Sequence, residues 1–133
     1  MATIRSHIRI HATPETVWEI VGNPARIVEW FPGVTGVEIT ADTRTLQLAS
    51  GVPVWEDILT IDDRLRRFQY RITGPLPVKF HLATMDVLED EFPGCLLVYS
   101  TEIDPEPMAF VLDGVISEAI TNLAKLAEEN EKV

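Results

Sequence analysis

The amino-acid sequence predicts an α+β protein in which a curved, seven-stranded antiparallel sheet wraps around one long C-terminal helix. Three observations lead to this prediction. Apolar residues alternate with period two near the N-terminus, short β-like segments separated by turn residues fill positions 37–103, and the apolar period changes to 3.6 residues after Pro107. No segment between the later strands is long enough for a crossover helix, so we expect antiparallel pairing. We expect residues 1–133 to form a single domain.

The first strand and the two short helices follow from local patterns. Residues 3–11 place isoleucines on one face and arginines and histidines on the other, as in a half-buried strand. Thr13 is the N-cap of a short helix that opens with proline and ends at Gly22. A second short helix covers about residues 24–29 and ends before a Pro-Gly turn.

The rest of the sheet is predicted as a meander of short strands. The six predicted strands cover residues 37–40, 44–49, 53–62, 66–73, 79–89 and 95–103. A helix over 108–130 follows, and its apolar side chains form one stripe at helical spacing: Leu112, Val115, Ile116, Ala119, Leu123 and Leu126. A helix of this length spans about 33 Å, which is enough to cross the whole sheet.

Composition and charge exclude several classes of function. The chain has 21 acidic and 11 basic residues and a formal net charge of -10, which repels nucleic acid and anionic membrane surfaces. Cys95 is the only cysteine, so no intrachain disulfide can form and a reducing, cytoplasmic location is expected. No apolar run approaches the roughly 18 residues that span a membrane, so we expect no membrane insertion.

Several segments carry the resemblance to a known family. They are residues 12–18 (Ala-Thr-Pro-Glu-Thr-Val-Trp), 23–26 (Asn-Pro-Ala-Arg), 29–34 (Glu-Trp-Phe-Pro-Gly-Val), 54–56 (Val-Trp-Glu), 61–63 (Ile-Asp-Asp), 67–72 (Arg-Phe-Gln-Tyr-Arg-Ile) and 103–107 (Ile-Asp-Pro-Glu-Pro). Together they resemble the SRPBCC superfamily (START-like, birch-pollen-allergen-like), in particular its polyketide cyclase/dehydrase-like branch. The resemblance covers almost the whole chain. It implies a helix-grip fold with an apolar cavity between the sheet and the long helix.

Similarity to the hormone-receptor members of that superfamily implies which side chains face the cavity. These are Glu56, Tyr70, Ile72, Phe80, Leu82, Val115 and Ala119. Thr84 shares the parity of this inner set on its strand, whereas His81 and Arg71 alternate outward. Trp30 and Phe31 are expected either to cap the cavity mouth and contact a ligand or to seal the core. Residues 50–53 resemble the loop that closes over ligand, although the lid motif of the family is not intact.

The pattern of strand 53–62 disagrees with this facing. Trp55, Leu59 and Ile61 are more apolar than the even-numbered positions, so alternation alone would bury them. If the resemblance is right, they form an apolar stripe on the outer face of the sheet, and we expect a homodimer through that stripe. The alternative is a bulge that exchanges the two faces in the middle of the strand.

Two side chains are candidates for chemistry. A carboxyl at Glu56 inside an apolar cavity would have a raised pKa, which suits proton transfer or the anchoring of a ligand hydroxyl, and the alternative is a solvated, outward Glu56. Tyr70 could donate its hydroxyl to a ligand carbonyl or enolate, or belong to the core. The motifs of serine hydrolases, zinc proteases and nucleotide-binding proteins are missing from the sequence. We expect neither a cofactor nor a metal site.

The expected function is the binding of a hydrophobic small molecule, lipid-like or polycyclic. One alternative is a cofactor-free polyketide cyclase or dehydratase in which Glu56 and Tyr70 transfer protons. A further alternative is a protein-interaction module, toxin-like or chaperone-associated. Binding is preferred over catalysis because the interior supplies only Glu56, Tyr70 and Thr84 as polar candidates.

Overall fold

The computed structural model of the protein describes residues 1–131. Its strands are β1 (Ala2–Ile10), β2 (Val34–Thr40), β3 (Thr43–Leu48), β4 (Pro53–Asp62), β5 (Arg67–Gly74), β6 (Phe80–Glu89) and β7 (Cys95–Asp104). Its helices are α1 (Pro14–Val21), a 3-10 helix (Pro24–Glu29) and α2 (Pro107–Glu131). This order confirms the predicted helix-grip fold. Residues 132 and 133 of the predicted domain lie outside the described residues.

All seven strands belong to one antiparallel sheet. Their spatial order is β1-β7-β6-β5-β4-β3-β2, so the first strand pairs with the last. Helix α2 packs against β1, β7 and α1, and its C-terminal half is buried there through Ala119, Leu123 and Ala127. Small alanine side chains allow this close approach. The N-terminal half of α2 lies over the middle of the sheet, where the candidate site is found.

Local hydrogen bonds fix the short helices that border the site. The Thr13 side chain accepts from the backbone N–H of Thr16 at 3.3 Å and caps α1. Gly22 ends this helix under the Trp18 ring, where an added Cβ would lie 2.7 Å from a ring carbon. Asn23 caps the 3-10 helix by accepting from the N–H two residues on. The chain therefore turns sharply from α1 into the wall of the cavity.

A bulge resolves the conflicting pattern of β4. The register between β4 and β5 shifts twice, once beside Trp55 and once at Leu59. Beyond the second shift, Ile61 is paired with the buried Phe68 and so lies on the inner face. Trp55, before both shifts, lies on the outer face and is 49% exposed. The predicted outer stripe is therefore wrong for Ile61, and the alternative of a bulge that exchanges the faces is confirmed.

The homodimer stays a prediction. Its three expected contact residues, Trp55, Leu59 and Ile61, are all exposed apolar side chains, but Ile61 does not share the outer face with Trp55. The cytoplasmic location and the interaction module also stay predictions. Within residues 1–131, no helix is both long and apolar enough to cross a membrane.

The predicted facing of β6 is wrong. Ala83 is the cross-strand partner of Tyr70 and is wholly buried, so alternation turns the neighbouring even-numbered side chains outward. These are Phe80, Leu82 and Thr84, which were expected in the cavity. Thr84 instead accepts a hydrogen bond from Gln69 on the outer face. The expectation rested on the resemblance, whereas the composition of the strand itself, with the apolar Met85 beside the polar Thr84, agrees with the observed facing.

Candidate functional site

A cavity of about 420 Å³ lies between the sheet and the N-terminal half of α2. Most of its wall is apolar, including Ile27, Val34, Leu46, Val54, Leu112 and Ile116. Its polar side chains are Ser50, Glu56, Tyr70 and His81. A concave, largely apolar site with a few polar groups is typical of small-molecule binding sites.

The structure brings five of the expected site residues to this cavity. Its lining includes Phe31, Glu56, Tyr70, Ile72 and Val115. Their placement agrees with the facing that the resemblance implied, and their contact with a ligand stays a prediction. All five belong to the segments that carry the resemblance or to the expected stripe of α2.

Two other expected site residues belong to the core instead. Trp30 is buried, does not line the cavity, and packs edge-on against Phe31 and Tyr99 with ring centroids 5.8 and 6.5 Å away. It therefore seals the core, which was one of its two expected roles. Ala119 is wholly buried one turn beyond Val115, where α2 already touches the sheet. Both are corrections to the expected ligand contacts.

Glu56 forms a buried ion pair with Arg44. The two residues are cross-strand partners on β3 and β4, and Arg44 Nε donates to Glu56 Oε1 at 2.7 Å. Both side chains are at most 3% exposed. Arg44 also donates from Nη1 to the Pro24 carbonyl at 3.0 Å. Glu56, Tyr70 and His81 thus form a polar end of the cavity, and Arg44 lies behind Glu56.

Aromatic rings hold the guanidinium of Arg44 in place. Its Cζ lies 5.3 Å from the centre of the Phe68 ring and 5.0 Å from that of Tyr70. Contact of a cation with ring faces is favourable, the more so away from water. Arg44 is therefore positioned by its partners before any ligand arrives, and it fixes Glu56 in turn.

Burial controls the ionisation of Glu56. Removal from water raises the pKa of the Glu56 carboxyl above its ordinary value, and this effect exceeds the opposing influence of Arg44. A carboxylate with a raised pKa binds a proton more readily than one at the surface. Glu56 can therefore accept a proton or a hydrogen bond from a molecule in the cavity.

Arg44 is the main site residue that the sequence reasoning missed. The strand predicted over 44–49 contained the signal, because Arg44 has the same parity as Leu46 and Leu48. An arginine on the apolar face of a strand needs a buried partner. Glu56, predicted to lie inside, is that partner.

Tyr70 is joined to a second buried tyrosine. Its hydroxyl forms a hydrogen bond with the hydroxyl of Tyr99 on β7. Burial is the main cause that raises the pKa of both phenols, so both are neutral at physiological pH. Only Tyr70 of the two lines the cavity. Tyr99 therefore orients the Tyr70 hydroxyl.

His81 was expected to point outward and instead lines the cavity. It is 4% exposed, and its Nδ1 accepts the backbone N–H of Ile72 at 3.0 Å. Its ring centre lies 5.5 Å from that of Tyr70. Burial lowers the pKa of the imidazole to about 4, so His81 is neutral at physiological pH.

The remaining titratable candidates lie away from the cavity. Arg71 faces outward, as expected, and pairs with Asp57 at 2.9 Å. Cys95 is buried, and desolvation raises the pKa of its thiol to about 11. Within residues 1–131, no group of three or more histidine, cysteine, aspartate or glutamate side chains could hold a metal ion.

The loop between β3 and β4 borders the cavity. Ala49 and Ser50 belong to its lining, and Gly51 follows with φ of +90°, a conformation that favours glycine. The loop lies at the expected position for a gate. Its movement over a ligand stays a prediction.

The fold and the cavity together define a class of protein. A curved antiparallel sheet that wraps a long C-terminal helix and leaves an apolar cavity between them is the helix-grip architecture of the SRPBCC type. The chain belongs to the family described as polyketide cyclase/dehydrase and lipid transport, whose model matches residues 1–128. No curated protein matches the chain closely enough to show a relationship.

Solved structures of low sequence identity share the fold. The protein XoxI from Bacillus cereus is 24% identical, with a TM-score of 0.88 and coverage of 95% of each chain. A putative uncharacterized protein from Bacillus thuringiensis is also 24% identical, with a TM-score of 0.84 and coverage of 95% of this chain and 98% of the other. Norcoclaurine synthase from Thalictrum flavum, solved with dopamine and hydroxybenzaldehyde, is 19% identical, with a TM-score of 0.77 over 96% of this chain and 87% of the other.

Proposed function

We propose that the protein binds a hydrophobic small molecule, lipid-like or polycyclic, in the cavity between the sheet and α2. The observation that carries this proposal is the cavity itself, about 420 Å³ with a largely apolar wall. Apolar surface that is moved from water into such a wall contributes roughly 25 cal/mol per Å². Membership of a family described by polyketide cyclisation and lipid transport supports the same class of ligand.

The distribution of polar and apolar side chains in the cavity favours ligands with one polar end. The polar side chains Glu56, Tyr70 and His81 come from the adjacent strands β4, β5 and β6. The opposite wall, formed by α2, contributes apolar side chains such as Leu112 and Val115. A flat or elongated apolar ligand with few polar groups would therefore satisfy both walls.

Filling the cavity should abolish binding. Val115→Trp introduces an indole into the cavity from α2, and we expect the affinity for the uncharged dye N-phenyl-1-naphthylamine to fall at least tenfold, because the dye and the indole would occupy the same space. The enhancement of dye fluorescence measures binding. Glu118→Trp is the matched control, since it adds the same ring to the same helix at an exposed position. Equal affinity in both variants would mean that the dye does not enter the cavity.

A second candidate function is cofactor-free proton-transfer chemistry, as in the cyclisation or dehydration of a polyketone. The observation that favours it is the position of Glu56, which is buried, lines the cavity and has a raised pKa. A carboxylate in such surroundings is a stronger base than one in water. Tyr70 could stabilise the enolate that forms after the proton is removed.

The simplest test of the second candidate uses an activated carbon acid. Glu56 should remove the C3 proton of 5-nitrobenzisoxazole as the ring N–O bond breaks to give the nitrile phenolate, and Glu56→Gln should lower this rate about 100-fold. Absorbance of the phenolate follows the reaction. Asp57→Asn, on the opposite face of the same strand, is the control. A rate that survives Glu56→Gln, or is lost equally in the control, would remove Glu56 from the chemistry.

A further inference from the structure

The pairing of β5 with β6 stops before either strand ends. Paired residues run only from Arg67 with Asp86 to Tyr70 with Ala83, although β5 continues to Gly74. In the gap that follows, the N–H of Ile72 donates to His81 Nδ1. A side chain therefore takes the place of the missing backbone partner, and it ties the imidazole to β5.

This hydrogen bond fixes the tautomer of His81. A ring nitrogen that accepts a hydrogen bond carries no proton, so a neutral imidazole has its proton on the other nitrogen, Nε2. The ring is almost wholly buried, which keeps it neutral. Nε2 is the distal nitrogen, further from the β6 backbone than Nδ1. No described residue accepts a hydrogen bond from it. His81 lines the cavity, so its Nε2–H is the donor that the ring can offer to a molecule bound there.

Glu56 supplies the complementary acceptor. Its Oε1 is occupied by Arg44, while among residues 1–131 no donor reaches Oε2. Ile72 connects the two groups, since it is the cross-strand partner of Glu56 and also the residue that holds His81. The strands that carry Glu56 and His81 lie on either side of β5, so the two side chains are separated by one strand. One ligand of modest size can reach both side chains.

We propose that the cavity selects uncharged ligands that carry an acceptor, such as a carbonyl oxygen, for the His81 Nε2–H and a hydroxyl that donates to Glu56. This inference rests on the proposed function. An unsatisfied donor in an apolar site penalises ligands that lack its partner, so these two groups discriminate between ligands of equal apolar size. His81 is then a specificity-determining residue.

A matched set of naphthalenes tests the selection. Four probes share one ring system: 2-ethylnaphthalene, 2-acetylnaphthalene, 2-naphthol and 6-acetyl-2-naphthol. Their affinities are measured by displacement of N-phenyl-1-naphthylamine. His81→Asn keeps an acceptor for Ile72 but lacks a donor at the Nε2 position. It should lower the affinity for the two acetyl compounds about tenfold relative to 2-ethylnaphthalene. Glu56→Gln should weaken the two hydroxyl compounds in the same way.

Two controls keep the test decisive. His7→Asn, at an exposed position of β1, should leave all four affinities unchanged. In the wild-type protein, which needs no substitution, the ¹⁵N–¹H signal of His81 Nε2 should shift with 2-acetylnaphthalene and stay in place with 2-ethylnaphthalene. The inference would be overturned if the affinities of the four probes followed their overall hydrophobicity alone and the His81 Nε2 signal did not shift. The proposed function would then remain intact. If none of the probes displaced the dye, the proposed function would fail, and the inference with it.

Discussion

Arg44→Met should lower the free energy of unfolding by about 3–5 kcal/mol at neutral pH, as expected when one member of a buried ion pair is removed. The loss arises because the variant leaves Glu56 buried without the one charged hydrogen-bond partner that it has among residues 1–131, and removes the cation that lies against the Phe68 and Tyr70 rings. Urea denaturation measures the change. The double variant Arg44→Met/Glu56→Met should recover most of the loss, because an apolar pair has no charge to compensate.

Arg71→Met is the matched control for this prediction. Arg71 pairs with Asp57 across β4 and β5, but on the outer face and with its side chain 55% exposed. Exposed ion pairs contribute about 0–1 kcal/mol, so this variant should remain close to the wild type. Similar losses in the two variants would contradict the view that the Arg44 pair is buried.

Acidification should destabilise the protein through His81. The imidazole has a pKa of about 4 in the folded protein against 6.5 in the unfolded chain. Between these values the unfolded state binds more protons, so stability falls as the pH falls. The contribution of neutral His81 to the free energy of unfolding is complete above about pH 6.5 and is lost by about pH 4. The difference between the two values corresponds to about 3 kcal/mol of unfolding free energy.

The measurement compares urea midpoints of the wild type and His81→Asn from pH 7.5 to 3.5. The variant should be less stable at pH 7.5 but have a flatter profile, since it lacks the titrating group. Glu56 acts with the opposite sign, because its raised pKa makes the folded state bind a proton more readily as the pH falls. Glu56 is present in both proteins, so its contribution cancels in the comparison. Parallel profiles would exclude His81 as the source of acid sensitivity.

Most element bounds could be predicted from the sequence because they depend on neighbouring residues. β4 was expected over 53–62 and spans Pro53–Asp62, and α2 was expected over 108–130 and spans Pro107–Glu131. Proline, capping side chains and the change of period act locally, so they are visible in one chain. The resemblance added the helix-grip arrangement, and the placement of Glu56 and Tyr70 in the cavity agrees with it.

The polar end of the site could be predicted only in part, because facing depends on register. One bulge at Leu59 is enough to exchange the faces of β4, and alternation contains no signal for where the extra residue falls. His81 was assigned outward because its strand was given the wrong parity. Its bond to Ile72 also requires a break between β5 and β6 that no local pattern reveals. The inward facing of Arg44 was detectable by parity, but its role in the site depends on the ion pair with Glu56, twelve residues away.

The pairing of the first strand with the last has a consequence for the order of assembly. Ala2 lies opposite Ile103, so β1 pairs with the last strand of the sheet. Because β1 precedes the other strands in the sequence, it is synthesised before them and can pair only after almost the entire sheet has been made. Folds that depend on such distant contacts form slowly, on a scale of about milliseconds to seconds. Until β1 arrives, β7 is an open edge that another chain could extend. Loss of the N-terminal strand would make this edge permanent and favour aggregation of an otherwise complete sheet.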